Sequence, residues 1–412
     1  MAKVYHSEIF GLRETKYDWL NKYNIKNVKW NKLTPNSEFY LFIPQDQRLQ
    51  KSYKTYSKIT EIFPVNSFGI VTARDAYVID ADKKQLEKRI RKFVDSKVDD
   101  EIIKQTYGLR ENKSWKIKER RKNLRKDEDW QSVFTQILYR PFDVQWIYYH
   151  DEMIERSRKE VMSNMLEENI ALITNRQIRL ENICHNWVSN NIVDLHIIET
   201  ANASAYVFPL YLYPEINKKD LFSEHETGEK KPNIKPELFE ELKKNYKKEV
   251  TPEEIFYYIY AVLYSNIYRT KYAEFLKIDF PRVPFTKNNK LFIQLGKLGH
   301  QLADLHLLKS KELDKTISKF PVDGSSKVEK PKYENEKVWI NKEQYFDGIK
   351  AEVWQYQIGG YQVCEKWLKD RKNRTLTLDE IKTYCKIVTA LSKTMKLQNE
   401  IDKYFENVEK TL

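Results

Sequence analysis

Apolar residues change spacing along the chain in a way that separates a strand-rich first half from a helical second half. Short apolar runs or alternating positions mark strands at 3–10 (KVYHSEIF), 39–43 (FYLFI, ahead of Pro44), 133–149 and 168–177. Others lie at Val188, Ile192, Val193 and Leu195, and at 205–213 (AYVFPLYLY). The stretch 63–80 (FPVNSFGIVTARDAYVID) reads as two short β-like runs broken at Thr72-Ala73-Arg74-Asp75. Helical spacing appears over 14–24, through Tyr17 and Leu20, and again over 83–126 and 151–168.

The period changes after residue 250. Thr251-Pro252-Glu253-Glu254 is a helix start, with Thr as cap and Pro at the first helical position. The helix that follows is apolar on nearly every side through Leu263, which requires burial. A second helix is expected over 290–310, then a lysine-rich stretch over 311–350 with a hairpin near 335–345 around Val338-Trp339-Ile340. The C-terminal end is helical, with a capped start at Asp379-Glu380. Between the halves, 216–250 is rich in Lys and Glu and holds Gly228 and Pro232, the composition of a linker or exposed excursion.

The predicted fold class is therefore mixed α/β (α+β). A β-containing domain spans 1–215, with a helical insert near 83–126, a charged linker over 216–250 and a mostly helical region over 251–412.

Charge adds a partner to this outline. The 412 residues carry a net charge of +12, and 13% are aromatic. A basic excess suits a polyanion, because Lys and Arg displace counterions from phosphates; a lysine-rich genome-wide composition would produce the same sum. The excess is concentrated in the insert, at Lys113, Lys116, Lys118, Arg120, Arg121, Lys122 and Arg125, relieved by Glu119. Such a run suits phosphate contact, which positions DNA without reading it, or a solvated helix face.

Base reading needs other side chains: Arg for guanine, Asn or Gln for adenine, each through two hydrogen bonds. Asn175, Arg176 and Gln177 stand consecutively at a strand end, with Arg179 just beyond, and Asn66, Ser67, Thr72 and Arg74 form a similar set. The competing role for each is to cap a turn or pair with a nearby acid. The two sets share a short echo, GIVTARD at 69–75 and ALITNRQ at 171–177.

Several chemistries lack their residues. With only 10 Gly there is no phosphate-binding loop or Gly-rich dinucleotide turn. An amine methyltransferase needs an Asn/Asp-Pro-Pro-aromatic loop, and Pro281-Arg282-Val283-Pro284 is a different chemistry. The three cysteines and seven histidines have no metal-ligand spacing, so no metal is expected. Asp75 and Asp80 with Lys83 or Lys84 approach the acidic–lysine pattern of a nuclease but depart from its spacing. The N-terminus lacks a signal-peptide apolar run and no stretch nears the length of a membrane span, so a cytoplasmic protein without membrane contact is expected.

The order of segments resembles the C-terminal specificity region of type ISP and related single-chain restriction–modification enzymes. The similar stretches are VYHSEIFGLRETKYDWL (4–20), FPVNSFGIVTARDAYVID (63–80), ILYRPFDVQWIYYH (137–150), ALITNRQ (171–177) and AYVFPLYLYP (205–214). They continue with PEEIFYYIYAVLYSNIYRTKYAEFLKIDFPRVP (252–284), LGHQLADLHLL (298–308) and VWQYQIGGYQVCEKWLKDR (353–371). The resemblance implies a target-recognition domain for double-stranded DNA, with an adenine methyltransferase domain or subunit as partner, and helicase or nuclease domains in some members. It places VYHSEIFG at the seam after a methyltransferase core, so the abrupt first strand suggests a split gene or a truncation. S-adenosylmethionine is then expected on the methyltransferase alone, with no catalysis and no cofactor on this chain. The rival expectations are a cryptic nuclease or methyltransferase fragment, and a partner-binding remnant of a degraded gene.

Overall fold

The computed structural model describes the chain except for residues 1–2, 10–12, 36–41, 43, 45, 179–183, 199–203 and 215–228. The strand expected at 39–43 thus lies outside the described residues. Packing divides the chain into two units, 1–55 and 56–412.

In the first unit, Val4–His6 pairs antiparallel with Asn31–Leu33. The helix Arg13–Lys22 buries none of its side chains. Asp46 caps Gln47–Lys54 by accepting the N–H groups of Arg48 and Leu49.

The second unit is built on two four-stranded sheets. One has the order Ile192–Val193, Phe134–Arg140, Asp143–Tyr148, Ile79–Asp80, with Ile192–Val193 parallel to Ile137–Leu138 and the other neighbours antiparallel. The other has the order Ser67–Phe68, Ala205–Pro209, Ala171–Asn175, Asn186–Ser189, antiparallel throughout. Every residue of Ala171–Asn175 is buried, as a continuous apolar run requires of a central strand.

The echo between 69–75 and 171–177 does not become a shared structure. Its second copy is this strand, whereas the first makes single bridges, Ile70 to Asp194 and Val71 to Arg156, and turns at Ala73 with φ 58°. The helix expected over 151–168 is reduced to Lys159–Met162 and a single turn over Ser163–Met165. The chain there runs beside Val71 instead, and that pairing outweighs local helical spacing.

The insert is three helices, Lys83–Val94, Asp100–Tyr107 and Ile117–Leu124. Their core is Leu86, Ile90, Phe93, Ile103, Trp115 and Leu124. Within the stretch read as a linker, Lys231–Pro232 pairs with Tyr211–Leu212, and Pro236–Tyr246 is a helix burying Leu238, Leu242 and Tyr246. Its surface charges conceal an apolar stripe.

The helical half centres on Pro252–Tyr264, whose Thr251 and Glu254 form a reciprocal capping box. It packs on Asn289–His306 so closely that a Cβ at Gly299 would lie 1.9 Å from the Tyr257 carbonyl oxygen. The long helix Leu378–Phe405 opens with a second capping box, Thr377 with Glu380. The expected hairpin becomes a three-stranded sheet, Lys332–Glu334, Lys337–Trp339 and Tyr345–Phe346. No helix of the described residues is long and apolar enough to cross a membrane.

Candidate nucleic-acid interface

The all-antiparallel sheet brings together the two sets of base-reading candidates. Tyr206 on the strand Ala205–Pro209 pairs with Phe68 on one side and with Thr174 on the other. Asn66 and Ser67 thus approach this strand from one flank, and Asn175, Arg176 and Gln177 from the other.

The rings of Phe68 and Tyr206 meet on the sheet with centroids 4.3 Å apart and planes tilted by 41°, and both remain part-exposed. Phe280 meets Tyr206 edge-on at 4.7 Å. Phe280 is held there because Ser57–Lys58 pairs antiparallel with Arg282–Val283, and the Ile59 N–H donates to the Pro281 carbonyl.

The same pairing sets an acid beside the strand end. Asp279 accepts a hydrogen bond from Lys58 Nζ at 2.6 Å on Oδ2 and one from Arg176 Nε at 3.1 Å on Oδ1. Burial pushes the Asp279 carboxyl up, but the bond from Lys58, with that from Arg176, leaves it below its ordinary value, so it stays ionised. Arg176 is 58% exposed and is held through Nε, which leaves its two terminal nitrogens for an outside partner. Gln177 beside it is also exposed.

The other expected readers have work inside the protein. Thr72 is buried and donates to Asp75. Arg74 is a correction: it is buried, lies 3.9 Å over the Trp115 ring, and donates to Glu155, to the Thr72 carbonyl and to the Met153 carbonyl. Asn175 is buried as well, so its side chain faces the interior. Asn66 donates to the Phe63 and Pro64 carbonyls at 3.3 Å, and Ser67 to the Phe68 carbonyl at 3.0 Å, yet both are part-exposed. Arg179 lies outside the described residues.

The basic insert divides in the same way. Lys113, Lys116, Lys118 and Lys122 are exposed, and Lys118 and Lys122 share a helix face. Arg121 is a correction. It is buried, with Nε on the Phe93 carbonyl at 2.6 Å and Nη2 on the carbonyls of Asp95 and Val98 at 2.6 and 2.7 Å. Arg125 adds a bond of 2.7 Å to the Val94 carbonyl while staying exposed. These two arginines close the C-terminal end of Lys83–Val94, where unpaired carbonyls and the helix dipole favour cations. Arg120 pairs with Glu152 at 2.8 Å.

The acids considered for a nuclease are engaged elsewhere. Asp75 accepts from Tyr139 at 2.9 Å, Asp80 pairs with Arg89 at 3.1 Å, and Asp82 caps Lys83–Val94. Among the described residues no three His, Cys, Asp or Glu side chains gather as a metal site.

The family model of the type ISP C-terminal specificity domain matches residues 61–400. The chain belongs to this family. Its mixed α/β fold, with small sheets and a helical C-terminal end, is shared with three solved structures. A nuclease-deletion mutant of the type ISP restriction-modification enzyme LlaGI, in complex with a DNA substrate mimic, is 22% identical with a TM-score of 0.69 over 97% of this chain. The ATP-dependent type ISP enzyme LlaBIII bound to DNA is 19% identical, with a TM-score of 0.67 over 90% of this chain. A DrdV–DNA complex solved by cryo-electron microscopy is 19% identical, with a TM-score of 0.71 over 94% of this chain. This specificity domain spans 33%, 25% and 42% of those chains, respectively. Comparison with curated proteins yields no match.

Sequence reasoning missed Lys58, Tyr206, Asp279 and Phe280 as parts of the surface around Arg176. Asp279 lies 103 positions from Arg176, and no periodicity links them. The aromatic residues read as ordinary strand and core positions.

Proposed function

We propose that this specificity domain recognises a particular sequence of double-stranded DNA for a restriction–modification system, and that it performs no catalysis itself. The observation that carries the reading is the Arg176 guanidinium, exposed at a strand end and oriented by Asp279 beside the Phe68–Tyr206 pair. An Arg anchored through Nε presents the two-pronged donor that guanine O6 and N7 accept. Family membership and the DNA-bound states of the LlaGI, LlaBIII and DrdV structures support the same partner.

An adenine methyltransferase is the proposed protein partner, and S-adenosylmethionine binds there rather than on this chain. The 1–55 unit supports a protein partner, because it leaves five large apolar side chains exposed: Tyr5, Leu20, Ile25, Trp30 and Phe42.

Replacing Arg176 tests the readout directly. In quantitative binding to the preferred duplex and its single-base variants, Arg176→Ala is expected to weaken the preferred site by about 1–3 kcal/mol and to relax selectivity at one base pair. Its melting temperature should be unchanged, since the side chain is exposed. An unchanged site preference in the folded variant removes Arg176 from the readout.

A further inference from the structure

A second arginine meets the aromatic pair from the opposite flank. The segment after Ile154 runs beside the first β-like run, because the Val71 and Arg156 N–H groups donate to each other's carbonyls at 3.1 and 2.9 Å. Two residues on, Arg158 adopts a left-handed backbone, φ 56° and ψ 42°, and turns the chain into the short helix Lys159–Met162. A non-glycine residue is uncommon in that region.

Its guanidinium stands 5.5 Å from the centre of the Phe68 ring. Phe68 touches Tyr206, and Tyr206 touches Phe280, over which Lys58 Nζ lies at 5.9 Å. The platform is therefore a row of aromatic rings with a cation at each end and Arg176 alongside.

Arg158 has no acceptor, unlike three other arginines of the same unit. Arg74 has Glu155, Arg140 has Asp194 and Arg282 has the Tyr56 carbonyl. Among the described residues, the Arg158 side chain makes no hydrogen bond or ion pair, and its Nε is buried without a partner. The residue is part-exposed, and the donors of its terminal nitrogens are open to an outside acceptor. The Phe68 ring attracts the cation, and the planar fork of a guanidinium suits a pair of acceptors better than a point charge does. Phosphates are better served by the flexible exposed lysines of the insert.

We propose that Arg158 is a second specificity-determining residue, donating a bidentate pair to O6 and N7 of a guanine at a base pair distinct from that read by Arg176. The proposal rests on the DNA-recognition reading above.

The test is selection from a random duplex library with the full chain, comparing wild type with Arg158→Lys and Arg158→Gln. Binding of the selected duplex across a range of salt and a melting curve for each protein accompany it. Lysine retains the charge but lacks the fork. Arg158→Lys is expected to melt like wild type, to lose the preference for one guanine while keeping the rest of the motif, and to bind the motif roughly 5- to 150-fold more weakly.

An unchanged motif in both folded variants overturns the proposal while leaving DNA recognition in place. So does a uniform loss across all sequences in Arg158→Gln with a flatter salt dependence, which would mark a phosphate contact. A wild-type chain that selects no motif overturns the recognition reading itself, and this proposal with it.

Discussion

Arg121→Ala is expected to destabilise the chain by about 3–4 kcal/mol, seen as a lower urea midpoint at unchanged slope. Arg121 reaches the carbonyls of Phe93, Asp95 and Val98 and the Asp100 carboxylate from a position that is 1% exposed. Removing it leaves buried carbonyl oxygens at a helix end without donors, and a cavity where the side chain lay. The effects share one site and do not add fully.

Its neighbours supply the contrast. Lys118 and Lys122 are exposed on the same helix, so Lys118→Gln with Lys122→Gln should shift stability by no more than about 0.5 kcal/mol. If they meet phosphates, the logarithmic salt dependence of DNA binding should flatten by about 1.8. Arg121→Ala that melts like wild type would contradict the assignment of Arg121 to the interior.

The second large effect lies where the helical half joins the four-stranded sheet that holds Asp143–Tyr148. Arg371 follows the helix Val363–Lys369 and stacks 3.4 Å from the centre of the Trp367 ring. Its Nη2 donates to Asp143 at 2.7 Å, its Nε to Glu380 at 3.1 Å and its Nη1 to the Trp367 carbonyl at 3.1 Å. Asp143 opens the strand Asp143–Tyr148 and its side chain is 1% exposed, while Glu380 lies in the first turn of Leu378–Phe405. One guanidinium thereby ties a strand to the long C-terminal helix.

Arg371→Ala would leave Asp143 buried with, among the described residues, Gln145 as its remaining side-chain donor. Breaking a buried pair from one side costs about 3–5 kcal/mol, because the remaining charge is uncompensated. Arg371→Met combined with Asp143→Asn should cost less than Arg371→Ala alone, since neither charge then stays behind. Chemical unfolding of the single and double variants measures this. A double variant less stable than the single would contradict the uncompensated charge as the source of the loss, because Met keeps more of the packing on Trp367 than Ala does.

How far the sequence could be read follows from the range of the interactions involved. Helix starts were legible because capping is local: Thr251 with Glu254, and the start near Asp379 and Glu380, need only three or four residues of context. The apolar run 171–175 gave a buried central strand for the same reason. The mixed α/β class followed from such elements, and the family from the order of the longer segments.

The site was only partly legible. Residue type picked out Arg176 and Gln177 as candidates, and the structure leaves both exposed at a strand end. Residue type could not distinguish them from Arg74, whose environment is made by Trp115 and Glu155, 41 and 81 positions away. The basic run shows the same limit, since Arg121 and Lys122 look alike in sequence, yet one is buried and the other exposed on the same helix. Arg158 gave no signal at all, because its approach to the Phe68 ring arises only when the segment after Ile154 is laid against Val71.

The central claim, that this chain alone reads a DNA sequence, is tested most directly by selection from a random duplex library with the purified full chain at near-physiological salt. The expected result is a single enriched motif that survives as salt rises, with at least one guanine whose selection depends on Arg176. Binding without enrichment that vanishes with increasing salt would contradict the claim, because generic attraction of phosphates by the +12 charge then accounts for all of the affinity.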